Sequence, residues 1–216
     1  RESRDENDAA LLTRAAQDLN AALRALPEAG SLDVVRGVEG EAARQYFAAL
    51  HRLVRSEARV DFSMDGRSRR PPRDRMNALL SLLYTLLMND VRSALEAVGL
   101  DPQIGFLHAL RPGRAALALD LMEEFRFVAD RLALTLINRQ QLARRDFAER
   151  EGGAVLLEND SRKTVLVAWQ ERKQETLTHP LLKEPVAIGL LPHIQARLLA
   201  RTIRGDAPVY VPFFLK

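Results

Sequence analysis

The stretch GFLHALRPGRAALALDLMEEFR (Gly105 to Arg126) places one imidazole, His108, ahead of a helical segment carrying Asp120, Glu123 and Glu124. Glu123 lies one helical turn beyond Asp120, so the two carboxylates project from the same side. Taken alone, this is a loop histidine followed by a solvated acidic face, a common pattern. A further carboxylate widens the chemistry on offer. Val35, Glu39, Ala42, Tyr46, Ala49 and Leu53 fall at helical spacing and define one apolar stripe whose only charge is Glu39. A carboxylate on a core-facing stripe must neutralise, pair with a cation or bind metal, because unpaired burial is costly. A salt bridge to one of the many arginines is one outcome. The other is a mixed nitrogen and oxygen site, formed if the helices bearing Glu39 and Glu123 pack together. One imidazole with two or three carboxylates suits Mg²⁺ or Mn²⁺, the imidazole tilting preference toward Mn²⁺. Structural zinc fits less well without thiolates.

Basic residues cluster around this chemistry. GRSRRPPRDR (Gly66 to Arg75) packs Arg69, Arg70 and Arg73 around Pro71 and Pro72, and Arg111 and Arg114 follow His108. Arg144, Arg145 and Arg150 come after the acidic helix. Each cluster alone reads as solvated surface; together they suit a polyanion. Metal sites beside arginines commonly serve phosphodiester chemistry, since the metal stabilises both nucleophile and leaving oxygen. Asn77, Ser81 and Tyr84 recur at i, i+4 and i+7 within an otherwise apolar segment. They either tie helices together or line a polar cavity, since buried polar atoms need partners.

The elements that must position these groups are helical almost throughout. Leu12, Ala15, Ala16, Leu19, Leu23 and Leu26 predict a first amphipathic helix ending near Pro27 and Gly30. Ser31 or Asp33 caps a second helix running to about Arg59. Pro71 or Pro72 opens a third at a first-turn position, and Gly99 and Pro102 stop it. A fourth runs from about Arg114 to Asn138. AVLLENDSRK (Ala154 to Lys163) predicts a short strand or hairpin near 154–160, before a helix with Leu166 and Trp169. A last helix ends at IRGD, ahead of an extended tail. The expectation is a mainly all-α fold, one helical domain over 1–216.

Composition sets bounds. The chain has 216 residues, 47% apolar and 28% charged, enough for a sizeable core. Zero cysteines exclude disulfides, thiolate catalysis and cysteine-ligated zinc, and fit a reducing cytoplasm. RESRDENDAALL at the start is not a signal-peptide pattern, and the apolar run ALLSLLYTLLM is too short for a membrane span. The expected setting is cytoplasmic, with no membrane partner. Net charge is only +3, so its distribution carries the argument.

VRGVEGEAARQYF, RRPPRDRMNALLSLLYTLL and GLDPQIGFLHALRPGRAALALDLMEEFR resemble the CRISPR-associated integrases of spacer acquisition, the first of the numbered Cas families. The likeness continues through AWQERK, THPLLKEP, QARLLARTIRGD and the proline-aromatic tail, and the wording is closest to the type I-C branch. The resemblance implies a metal-dependent DNA endonuclease and integrase. Its metal ligands match Glu39 of the "EG" motif, His108 of GFLH and Glu123 of DLMEEF, with Asp120 at a supporting position and Tyr84 beside the site. Asn77 joins these as a supporting residue. Arg69, Arg70, Arg73, Arg111, Arg114 and Arg126 are expected to hold DNA phosphates. Implied partners are spacer-precursor and repeat DNA, and the second numbered Cas protein as a dimeric bridge; the full-length family is homodimeric. Two departures stand out: Phe127 follows Arg126 where the family often has proline, and the family's N-terminal β-sandwich is expected to be absent. The rival reading is a non-catalytic helical DNA-binding or assembly module, with the acidic and imidazole groups as ion pairs. A small-molecule metalloenzyme would instead need an enclosed apolar pocket.

Overall fold

A computed structural model describes residues 6–214. Contacts divide the chain into two compact units, one formed by residues 1–81 and 133–162, the other by 82–132 and 163–216. Helix α4 (Arg75–Ala97) contributes residues 75–81 to the first unit and the remainder to the second.

In the first unit, α1 (Glu6–Ala25) packs against α2 (Leu32–Leu50), which opens on the Ser31 hydroxyl accepting the Val34 N–H. The expected long second helix is shorter than its periodicity suggests. It ends at Leu50, passes through a 3₁₀ turn at His51–Leu53, and is followed by the separate single turn α3 (Ser56–Arg59). The core here gathers Phe47, Leu50, Phe62, Leu79 and Ile137, with Phe62 meeting Phe147 edge to face at 5.6 Å. α4 starts at Arg75, later than the two prolines suggest. Asp74 accepts the Asn77 N–H at 2.7 Å and so caps the helix, leaving Pro71 and Pro72 in the preceding loop. After α6 (Arg126–Asn138), strands β1 (Phe147–Arg150) and β2 (Ala154–Leu157) form an antiparallel hairpin near its expected place. Gly152 and Gly153 turn it with φ of 80° and 75°, values that favour glycine.

In the second unit, α4 presents Leu83, Leu87, Val91 and Leu95 to the interior at i, i+4 spacing. The expected fourth helix is interrupted. α5 (Ala116–Met122) gives way to a 3₁₀ turn at Glu123–Phe125 before α6 begins at Arg126. α5 packs on α8 (Leu191–Ile203), and α7 (Asn159–Gln174) buries Val165 and Trp169. A second hairpin, β3 (Thr176–Thr178) with β4 (Pro185–Ala187), falls in a stretch the sequence did not mark as strand. Its reversal is held by His179, whose Nδ1 accepts the N–H groups of Leu181 and Leu182. Among the described residues the architecture is mainly helical with two small sheets. No helix among the described residues is long and apolar enough to cross a membrane.

Candidate functional site

The loop before α5 is organised by one carboxylate. Asp120 Oδ2 accepts the main-chain N–H of Phe106 at 2.6 Å and of Leu107 at 3.0 Å, while Oδ1 accepts that of His108 at 3.0 Å. The His108 ring completes the set, its Nδ1 standing 2.6 Å from Asp120 Oδ1. An ionised carboxylate only accepts, so Nδ1 carries the proton, and in the neutral form of the ring Nε2 is the nitrogen that keeps its lone pair. That wiring orients an imidazole for metal ligation or proton exchange through Nε2. Gly105 is required by the same packing. A Cβ there would sit 2.7 Å from Asp120 Oδ2 and 2.8 Å from the Ala116 carbonyl carbon. The first free amides of α5 are met by the Pro102 carbonyl, which accepts from Leu117 and Ala118.

Glu123 is exposed on the 3₁₀ turn and pairs with Arg126 at 2.6 Å. The Arg126 guanidinium also lies over the Tyr84 ring, 4.9 Å from its centroid. Burial opposes the Arg126 charge, but Glu123 and Tyr84 outweigh it and raise the guanidinium's affinity for its proton. Tyr84 donates its hydroxyl to buried Asp130 at 2.5 Å. Burial, then the Asp130 charge, pushes the phenol well above its ordinary range, so Tyr84 acts as a neutral donor. Neither Asp130 nor this chain of contacts was legible from spacing.

Glu39 belongs to the first unit and departs from its expected setting. It is exposed on α2, and its stripe neighbours Val35, Ala42, Tyr46 and Ala49 are only half-buried. The burial argument for Glu39 therefore fails; among the described residues its side chain makes no ion pair or hydrogen bond. Asn77 is fully buried, as expected, and its partners are explicit. It accepts from Arg67 and the Ser68 N–H, and donates to Gly66 O and Asp74. Arg67 also reaches Ser81, so the polar row ties the arginine loop to α4. In that loop Arg69, Arg70 and Arg73 are all exposed, and Arg73 is tethered, donating to the Gly152 carbonyl at 2.5 Å. Val155 N–H to Pro72 O, 2.9 Å, anchors the loop further. Arg111 is exposed and Arg114 half-buried, beyond His108.

By donor chemistry His108 and Glu123 suit a hard divalent cation: an imidazole with its lone pair directed by Asp120, and a part-exposed carboxylate. Among the described residues, no group of three or more His, Asp or Glu side chains is gathered in a metal-holding arrangement.

A feature sequence reasoning passed over lies next to Glu123. Glu124 turns inward and accepts from Gln195 on α8 at 2.9 Å, from the Tyr210 hydroxyl at 2.6 Å and from the Phe213 N–H at 2.8 Å. Burial raises its pKa, against the pull of those three hydrogen bonds. The helical pattern of DLMEEF marked both glutamates as surface charges, and nothing local distinguishes them.

The family model described as CRISPR associated protein Cas1 matches residues 1–171. The CRISPR-associated endonuclease Cas1 1 of Moorella thermoacetica is 57% identical over 217 residues, covering 100% of this chain and 63% of that protein. The chain thus spans less than two thirds of that relative's length. A solved structure of a Cas1 protein from Thermotoga maritima superposes with a TM-score of 0.79 at 29% identity, over 93% of this chain and 62% of that one. A partial Cas6-RT-Cas1–Cas2 complex contains a chain that matches with a TM-score of 0.82 at 25% identity, over 99% and 63%. A match across most of the chain, on the helical scaffold described above, settles the kinship: this chain belongs to the Cas1 family of CRISPR-associated proteins.

Proposed function

We propose that this chain is the helical catalytic part of a DNA integrase that inserts spacer DNA into a CRISPR array, with endonuclease activity at the same site. The observation that carries the reading is the Asp120-held imidazole of His108, in a chain of the Cas1 family. His108, Glu123 and Glu39 are assigned as ligands of Mg²⁺ or Mn²⁺. Bound there, the cation supplies Lewis acidity to a phosphodiester oxygen and lowers the pKa of an attacking hydroxyl.

The remaining work falls to this chain's own residues. Asp120 fixes the proton of the neutral His108 ring on Nδ1, turning Nε2 toward the site, and holds its loop rigid. Tyr84, neutral and tied to Asp130, fixes Arg126 beside Glu123. The exposed guanidiniums of Arg69, Arg70 and Arg111, with Arg114, bind phosphates. Arg73 and Arg126 contribute positive potential while held by Gly152 and Glu123. In the reaction a DNA 3′-hydroxyl attacks phosphorus, a P–O bond at the repeat edge breaks, and the departing 3′-oxygen takes up the proton. No protein nucleophile is needed. The second numbered Cas protein is the proposed partner, supported by the Cas1–Cas2 complex among the structural relatives. The proposed setting is the cytoplasm.

The experiment is cleavage and strand transfer on labelled DNA in Mn²⁺ with wild type, Glu39→Ala and His108→Ala, alongside circular dichroism. Both variants should keep their helical content and lose both activities. Wild-type rates in either variant would remove that residue from the site. Tight DNA binding by wild type with no cleavage would instead favour a non-catalytic DNA-binding or assembly module.

A further inference from the structure

The turn Glu123–Phe125 sends three side chains in three directions. Glu123 points outward to Arg126, Glu124 is half-buried, and Phe125 enters the core. The C-terminal segment grips the two inward residues. Tyr210 donates its hydroxyl to Glu124 Oε1 at 2.6 Å, and the Phe213 main-chain N–H donates to Oε2 at 2.8 Å. Gln195 bridges the same carboxylate, the Tyr210 oxygen and the Val211 carbonyl. The buried Phe213 ring then packs 5.6 Å from Phe125 and, parallel, 6.3 Å from Phe127, with His179 edge-on at 5.4 Å.

A 3₁₀ turn has poorer hydrogen-bond geometry than the α-helices flanking it and is easily displaced. Here Glu124 and Phe125 are fixed on one side, so the backbone of Glu123 has little freedom left. We propose that the segment around Tyr210 and Phe213 is a positioning strap: by holding Glu124 and Phe125 it sets where the Glu123 carboxylate is presented. Glu124 and Tyr210 are then positioning residues, acting through the turn without touching substrate. The proposal rests on Glu123 being a metal ligand.

Calorimetric or EPR titration of Mn²⁺ into the full chain reads this without catalysis. Glu124→Ala should weaken Mn²⁺ binding by about 10- to 100-fold, the usual cost of losing an outer-shell support. Tyr210→Phe, which keeps the ring and its packing, should weaken it several-fold, and Glu124→Gln, which retains one carbonyl acceptor, should recover part of the loss. Trp169→Phe breaks a different part-buried hydrogen bond of the same unit, to Asp90 at 3.0 Å, and should leave affinity unchanged while lowering the melting temperature. Glu123→Gln separates the two ideas. If it binds Mn²⁺ like wild type, the ligand assignment falls and the strap goes with it. If Glu123→Gln loses affinity while Glu124→Ala and Tyr210→Phe keep it, the ligand stands and the strap is wrong. Should Glu124→Ala not fold, the Tyr210→Phe titration decides alone. An equal loss in Trp169→Phe would reduce the strap to general stability and overturn it.

Discussion

One carboxylate of Asp120 holds both the ring and the backbone of His108: Oδ1 lies 2.6 Å from Nδ1 and 3.0 Å from the main-chain nitrogen. Because Oδ2 meanwhile takes the amides of Phe106 and Leu107, the loop and its imidazole move as one piece.

Asp120→Asn turns an acceptor-only group into one that presents an NH₂ toward donors. The expected loss is about 1–3 kcal/mol of stability, because buried N–H groups are left unmet. Glu123→Gln disturbs only a part-exposed ion pair and should cost no more than about 1 kcal/mol. DNA cleavage should show the reverse order, with Glu123→Gln the more damaging. Paired melting curves and cleavage rates check this crossing; a parallel ranking in both assays would mean that the two residues share one role.

Gly105→Ala forces a Cβ against Asp120 Oδ2 and the Ala116 backbone. Overpacking of this kind costs about 1–3 kcal/mol. The loss should appear in thermal denaturation and should be absent from Gly113→Ala in excess of its positive-φ strain, since no atom lies within 4 Å of a Cβ built there. Indistinguishable melting of Gly105→Ala and wild type would refute the tight loop.

The basic loop divides by tethering. Arg69→Glu with Arg70→Glu should weaken binding to DNA of any sequence and reduce the log–log salt slope by about 1.8, at about 0.9 per phosphate contact. Arg73, spent on Gly152, should change the slope less and stability more. Fluorescence anisotropy across NaCl concentrations, with melting of each variant, separates the two.

His51 bears on pH. Burial, then Arg52 and Arg59, depress its pKa below the usual imidazole value, opposed by Asp8 and a backbone contact. The folded state therefore holds fewer protons than the unfolded one between the depressed pKa and about 6.5. Stability rises with pH through that window and is lost as pH falls through it. Denaturant midpoints from pH 7.5 down to 5.5 should show this slope in wild type and a flatter one in His51→Gln.

The helical character of the chain was legible, and a cap at Ser31 or Asp33 with it, because periodicity and local side chains decide them; the structure selects Ser31. Equally legible was the placing of Asp120 and Glu123 three residues apart in one helical stretch, a matter of spacing. The break between them was not: no proline or glycine marks Glu123–Phe125, and the grip on Glu124 comes from Gln195, Tyr210 and Phe213, far along the chain. Glu39 shows the opposite error. Periodicity finds which face of α2 is apolar but not how much of that face is covered, and Leu32 and Val34 on the same helix are more than half exposed. The second hairpin was hidden because three-residue strands around a proline leave no alternation to read.

The wiring of the His108 loop also says which changes its sequence can absorb. Asp120 reads Phe106 and Leu107 only through their amides, and Phe106 is 62% exposed. Natural or engineered variation can therefore run freely through the side chain at 106 while proline, which has no N–H to give, is shut out at 106, 107 and 108. The tolerance of the loop is set by its backbone, and a library varied at Phe106 can retune what the loop meets without unseating the imidazole beside it.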